Sequence, residues 1–345
     1  MRDVCLIRCE YSEKVGFGHL MRCLVLAAAL HEKGCAVYLL STKGRPELSW
    51  ENIDVIKEWF LTTNEVGTTD DAQHVVSVAK DIEATLLVLD FYDISESYQL
   101  ILRDEGLHWL QFDGFARRPL WGDWIVSMSP AADRNRYLLQ QKNSETTFCL
   151  GPEYAILRPE FRKHTRSSRV IGSVKKVMLS FGGGEDRGLT LFCLEAIKRS
   201  GWEGSVIAVV GQGNPFIKEI HTWASCSGAG WVQIRIDEPD MVGVMADCDL
   251  GVISGGMTSF EAAVMGLPTL MVCLAENQKA NIEAWSHLGV SVDLGDVGQL
   301  EEESFARQFL ALVHDEKRRE FMSRLGREVV DGQGAERVAE IMLGE

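Results

Sequence analysis

The sequence predicts an α/β fold of two Rossmann-like, doubly wound halves facing a cleft, and three observations carry that prediction. Short apolar runs of strand length alternate with helical stretches along most of the 345 residues. Each half opens with the same order of strand, glycine loop and helix, first around "VGFGHLMRCLVLAAAL" (15–30) and again around "KKVMLSFGGGEDRGLTLFCLEAIKRSG" (175–201). Between them, from about Leu138 to Ser173, a stretch rich in Pro, Arg and Ser interrupts the rhythm. The length agrees, since a chain of this size is worth about two domains.

The first half reads strand by strand. "VCLIR" (4–8) is a short buried strand, followed by the glycine loop and a helix to about Lys33. "AVYLL" (36–40) is a second strand, "DAQHVVSVAKDIEA" (71–84) a helix, and "TLLVLDFYD" (85–93) a strand with an acidic and aromatic end. "SESYQLILRDEG" (95–106) is helical again and "HWLQFDG" (108–114) a short strand. In the second half "SVIAVVG" (205–211), "GWVQIRI" (230–236), "CDLGVISGG" (248–256) and "PTLMVCL" (268–274) supply further strands. The expected division is 1–150 for the first half, 151–173 for the connection and 174–345 for the second half. In such sheets ligands bind at the C-terminal ends of the strands, where the strand order reverses.

Composition narrows the function. An apolar fraction of 46% and a charged fraction of 25% are ordinary for a globular protein. A net charge of −15 with no Lys/Arg run argues against nucleic acid, but not against a small nucleotide held by backbone N–H groups. The nine cysteines are odd in number, with no C-x-x-C pair and no zinc spacing, so reduced thiols and no metal site are expected. Cys5 and Cys9 fall on one face of the first strand. "MRDVCLIRCE" does not read as a signal peptide. The longest apolar runs, "LVLAAAL" and "LPTLMVCLA", fall short of the roughly 20 residues of a membrane span, so the expectation is a cytoplasmic protein.

Four stretches carry candidate chemistry. Gly16 and Gly18 allow a tight turn that places His19 in the first turn of a helix. There the helix dipole and burial disfavour the imidazolium, so the expected pKa is lowered and a neutral ring is a competent general base. An exposed histidine without a role is the plainer alternative. Asp90, Tyr92 and Asp93 end a strand on the ligand side of the same half. In "DCDLGVISGGMTSFEAAVMGLPTLMV" (247–272), Gly255 and Gly256 let amides approach a phosphate at a helix N-terminus. Thr258 and Ser259 either bond a phosphate oxygen or cap that helix, and Glu261 either accepts from a ribose diol or completes a capping box. Gly182 and Gly183 in "SFGGGEDRGLT" form the matching loop, while Asn277 and Gln278 in "AENQKAN" either read sugar hydroxyls or cap a helix.

Taken together, these stretches resemble the nucleotide-sugar hydrolases of pseudaminic acid biosynthesis. The resemblance rests on "VGFGHLMRCL" (15–24), "VLDFYDIS" (88–95), "LGPEYAILRPEF" (150–161), "LSFGGGED" (179–186), "ISGGMTSFEAAVMGLP" (253–268), "ENQ" (276–278) and "DGQGAERV" (331–338), in order along the chain. It implies a GT-B architecture and UDP binding in the second half. It also implies release of UDP from UDP-2,4-diacetamido-2,4,6-trideoxy-β-L-altropyranose, by metal-independent attack of water on the anomeric carbon with inversion. No cofactor follows from it; the implied partners are the UDP-sugar and enzymes of the same pathway. On the same footing His19, Tyr92 and Asn277 are catalytic, and Arg22 belongs to the "GFGHxxR" pattern at the substrate side. Relatives often carry paired acids where this chain has Asp113 followed by Gly114, which points to different sugar substituents. The Gly-Gly-Thr-Glu segment is shared with MurG-like transferases, so a GT-B glycosyltransferase and a non-catalytic nucleotide-sugar binding module stand as alternatives.

Overall fold

Strands that pair only in parallel are covered on both faces, and their apolar runs follow from that burial. A computed structural model of the chain describes residues 3–11, 17–46, 54–92, 94–164, 169–226 and 230–345. The chain forms two compact units, Met1–Arg158 with Gln333–Glu345, and Pro159–Gly332.

The first unit holds seven strands: β1 (Val4–Cys9), β2 (Ala36–Ser41), β3 (Ile56–Leu61), β4 (Leu86–Asp90), β5 (Trp109–Phe112), β6 (Trp124–Ser127) and β7 (Thr147–Leu150). Their order is β3-β2-β1-β4-β5-β6-β7, so the sheet winds outward both ways from β1 and β4. Helices α1 (Gly18–Glu32), α2 (Thr69–Asp81), α3 (Glu96–Asp104) and α4 (Arg134–Gln140) connect them. Every residue of β4 is buried, and Cys5 and Cys9 are both buried in β1. Leu6, Leu87 and Leu89 from the sheet meet Val75, Ala79, Tyr98 and Leu102 from α2 and α3 in one core cluster.

The second unit repeats the plan. After α5 (Pro159–His164), strands β8 (Lys176–Ser180), β9 (Ser205–Val210), β10 (Val232–Ile236), β11 (Leu250–Ser254), β12 (Thr269–Cys273) and β13 (Ser291–Asp296) form a parallel sheet in the order β10-β9-β8-β11-β12-β13. Helices α6 (Leu189–Arg199), α7 (Ile217–Cys226), α8 (Met241–Asp247), α9 (Met257–Val264), α10 (Glu276–Leu288), α11 (Glu302–His314) and α12 (Glu316–Val329) flank it. Its strand order reverses between β8 and β11, the two strands that precede the Gly182 and Gly255 loops. No described helix is long and apolar enough to cross a membrane.

Two features differ from the sequence reading. The segment expected as the connection, 151–173, contains a 3-10 turn at Pro152–Tyr154 and α5, and the division falls after Arg158. The last helix, α13 (Gly334–Leu343), was placed with the second half but belongs to the first unit. Its buried face of Ala335, Val338, Ala339 and Met342 packs against α1. Lys33 at the end of α1 pairs with Glu345 at 2.6 Å and Glu340 at 3.2 Å. Gly334 lets the start of α13 lie on the Pro152–Tyr154 turn, because a Cβ there would collide with the backbone of Tyr154 and Ala155.

Replacing Gly334 with Val therefore pushes α13 off the turn beneath it. The expected cost is about 1–3 kcal/mol, the range for overpacking. It should appear as a lowered urea midpoint in a near-ultraviolet unfolding curve and as faster proteolysis after Gly332.

Candidate functional site

In the first unit the strand order reverses between β1 and β4, and four of the expected residues meet there. His19 is the second residue of α1 and is buried. Arg22, one turn on, lies on the same helix face. Both reach Asp90, the last residue of β4, which is fully buried and stands opposite Cys9 in the register with β1. His19 Nδ1 lies 2.6 Å from Asp90 Oδ1. Arg22 Nε donates to Oδ2 at 2.6 Å while its Nη2 donates to Oδ1, a two-pronged pair. Cys23 Sγ approaches Oδ2 at 3.3 Å. Tyr92, 54% exposed, sets its ring edge-on to the imidazole with centroids 4.7 Å apart. The Arg22 guanidinium lies 4.6 Å over Phe112 at the end of β5.

This geometry fixes the histidine's chemistry. Burial pushes the Asp90 carboxyl up, but the Arg22 charge and hydrogen bonds, with the bond from His19, outweigh it and hold the group at about 2. His19 Nδ1 also lies 3.1 Å from Arg22 Nη2, which only donates, so this nitrogen meets an acceptor and a donor; the carboxylate at 2.6 Å is the nearer, and when Nδ1 donates to it Nε2 keeps the lone pair. The carboxylate also stabilises the imidazolium formed when Nε2 takes a proton, the division of labour of an Asp–His pair.

Asp90 and Arg22 were expected at the substrate. The structure holds both against His19 and against each other. Asp113 differs likewise: its Oδ1 accepts from the Phe115 and Ala116 amides at 2.9 and 2.6 Å and folds the turn after β5. Gly18 opens α1 with no crowding around it. Gly16 and Asp93 lie outside the described residues.

In the second unit the glycine loops separate into packing and open positions. A Cβ on Gly255 would sit 2.6 Å from Ile282 Cγ1 and 3.2 Å from Gln278 Cβ, so this glycine lets α10 close on the loop. Ser259 is buried; its hydroxyl donates to Gly256 O at 2.7 Å and accepts from Trp285 Nε1 at 3.1 Å. Gln278 Oε1 accepts from the Leu274 amide at 3.1 Å. These three residues are occupied in holding the loop. Gly256 and Thr258 remain open, with free space around Gly256 and Thr258 half-buried. Gly256 is the N-cap of α9, no side chain caps that helix, and its first turn carries no acid, so the capping-box alternative fails. An N-terminus of this kind attracts an anion. Glu261 is half-buried on α9, and Asn277 is exposed in the first turn of α10.

The loop after β8 keeps Gly182 (φ +99°) and Gly183 exposed. A Cβ on Gly211 would collide with the Gly183 carbonyl, so this loop lies against the one after β9. Sequence reasoning missed Asp186, whose buried carboxylate caps α6 through Gly188 N at 2.9 Å and Thr190 N at 3.1 Å. An acid two residues before a helix-opening glycine was the signal available.

With this geometry in view, likeness to solved structures defines the class. The chain superposes along its whole length on MurG of Acinetobacter baumannii (TM-score 0.68, 12% identity, 100% of both chains covered). It superposes as fully on a UDP-GlcNAc 2-epimerase of Neisseria meningitidis bound to UDP-GlcNAc (TM-score 0.69, 13% identity). The fold is thus of the GT-B type. No protein-family model matches the chain.

Among curated sequences, it is 22% identical over 292 residues to a UDP-2,4-diacetamido-2,4,6-trideoxy-β-L-altropyranose hydrolase of Campylobacter jejuni, covering 84% of this chain and 98% of the relative. It is 22% identical over 336 residues to the spore coat polysaccharide biosynthesis protein SpsG of Bacillus subtilis, covering 95% and 94%. The uncharacterized protein MJ1062 of Methanocaldococcus jannaschii is 26% identical over 274 residues (78% of this chain), and the match spans only 55% of that protein's length.

The Asp90 pair gives the stability a definite pH dependence. Its folded pKa of about 2 lies below the unfolded value near 4, so its contribution is complete above pH 4 and is lost as the pH falls toward 2. The loss is on the order of 2 kcal/mol. Asp90→Asn should flatten that acid slope in urea unfolding curves taken from pH 5 to pH 2. At neutral pH it should cost about 3–5 kcal/mol, because Arg22 is left unpaired.

Proposed function

We propose that this protein hydrolyses a nucleotide sugar, releasing UDP from UDP-2,4-diacetamido-2,4,6-trideoxy-β-L-altropyranose or a close analogue. The observation that carries the reading is the bond of 2.6 Å between His19 Nδ1 and buried Asp90, which leaves Nε2 as a base at the strand reversal of the first unit. The Campylobacter jejuni relative, named for that hydrolysis and matched over 98% of its length, supports the choice of substrate.

In the proposed step a water oxygen bonds to the anomeric carbon and its proton passes to His19 Nε2. The C1–O bond breaks on the opposite face, its electron pair leaves with the diphosphate, and the anomeric centre inverts. UDP is a good leaving group, so the second carboxyl group of ordinary glycoside hydrolysis is not required. Base assistance of this kind is worth about 10²–10⁴ in rate. The second unit's part is the departing charge, met by the α9 N-terminus at Gly256 and Thr258. Tyr92 flanks the imidazole, and Asn277 on α10 reads the sugar or its phosphates.

The fold shared with MurG favours a second reading, transfer to an acceptor hydroxyl, since the same base can activate either nucleophile. A panel of UDP-sugars incubated without acceptor in ¹⁸O-water separates the readings. Hydrolysis puts the label in the sugar and none in UDP. Strict acceptor dependence identifies a transferase. His19→Ala should lower UDP release by at least about 10² while the Kd for UDP changes less than about threefold. A variant that binds UDP normally with release undiminished would point to a binding module instead.

A further inference from the structure

Away from the glycine loops, the second unit carries a cleft of about 710 Å³. It lies at the opposite edge of the sheet, where Lys175 precedes β8, Gly204 precedes β9 and Trp231 precedes β10. Five-residue strands separate that edge from the loops after β8 and β11 by about 16 Å. The volume falls within the range of small-molecule sites.

We propose that this cleft binds the ring of a saccharide. Its walls are two half-buried indoles, Trp202 and Trp231. Each is held in place by an edge-to-face partner. Trp202 meets Phe309 with centroids 5.5 Å apart at 87°, and Trp231 meets Trp223 at 6.0 Å and 86°. Gly204 completes the first wall, because a Cβ there would collide with the Trp202 ring. Among the described residues, neither indole N–H has a hydrogen-bond partner.

The rim is polar: Glu203, Lys175 and His314 are exposed around the aromatic walls. A pyranose has this shape of chemistry, with a C–H-rich face that packs on an indole and hydroxyls around its edge. Glu203 accepts from hydroxyls, while the indole N–H groups and Lys175 donate to ring and substituent oxygens. A phosphate would find one ammonium and a carboxylate on this rim, and α12, which starts just beyond His314, is capped by Asp315 and opens with Glu316. The site stands apart from the proposed hydrolysis and fails or survives separately from it.

The test uses the full chain with UDP in excess, so that the nucleotide end is filled. N-acetylglucosamine and its β-1,4-linked trimer are the probes, and ¹⁵N-indole resonances of Trp202 and Trp231, assigned with W202F and W231F, are the readout. Both resonances should shift, with half-saturation in the millimolar range. Glu203 is exposed, so Glu203→Gln should leave the fold and UDP binding intact while weakening the saccharide by about three- to tenfold. Trp231→Ala should abolish the shift at Trp202. Tighter binding of the trimer identifies a glycan chain as the occupant, and equal binding a free sugar; either supports the site. No shift of either indole up to about 100 mM probe, or shifts unchanged by Glu203→Gln, would overturn it.

Discussion

A carboxylate buried at the end of a central strand is the constraint around which the first unit's chemistry is arranged. Alone, ionised Asp90 would be too costly to desolvate and would take up a proton. Arg22 prevents this by meeting both oxygens, and His19 then finds an acceptor that stays ionised. The three residues depend on one another. Arg22 keeps Asp90 charged, Asp90 makes the nearer contact to His19 Nδ1, and both partners sit three residues apart on α1, so one helix delivers them together. The placement of α1 reaches further still, to α13 from the end of the chain.

Much of this was legible in the residues, for identifiable reasons. β1, β4, β11 and β12 are buried on both faces, and continuous apolar runs such as "LLVLD" and "TLMVC" are the mark of that burial. β3 was not legible. It is an edge strand whose residues "IKEWFL" are mostly exposed or half-buried, and it carries no such run. The destination of α13 was hidden too, because an amphipathic helix shows that a face is buried but not against which partner.

The site divides the same way. His19 could be singled out from local context, a glycine turn at a helix start. Its pairing with Asp90 spans 71 residues and exists only once β4 lies beside β1. In the second unit, glycines and hydroxyls look alike in sequence whether they serve a ligand or a neighbouring helix. Gly255 and Ser259 turned out to be committed to Ile282 and Trp285, which follow more than twenty residues later. Asp113 is singled out only by the resemblance, and its local work, accepting from the Phe115 and Ala116 amides of the turn after β5, carries no mark in the sequence that separates it from a ligand contact.

On the proposed function, the two units would use one architecture for two kinds of chemistry, and the contrast has a physical logic. At the first strand reversal the working groups are side chains, because moving a proton requires a group that titrates. At the second they are backbone amides, because holding a diphosphate requires charge that does not. In a chain with 50 acidic and 35 basic residues, lysine clusters are scarce and carboxylates are everywhere. Helices α2, α11 and α12 begin with acids in their first turn, which neutralise their positive ends. α9 begins with glycine, no cap and no acid. α1 likewise begins without a side-chain cap or an acid, so in each unit the helix that follows a strand at the order reversal leaves its positive end unneutralised.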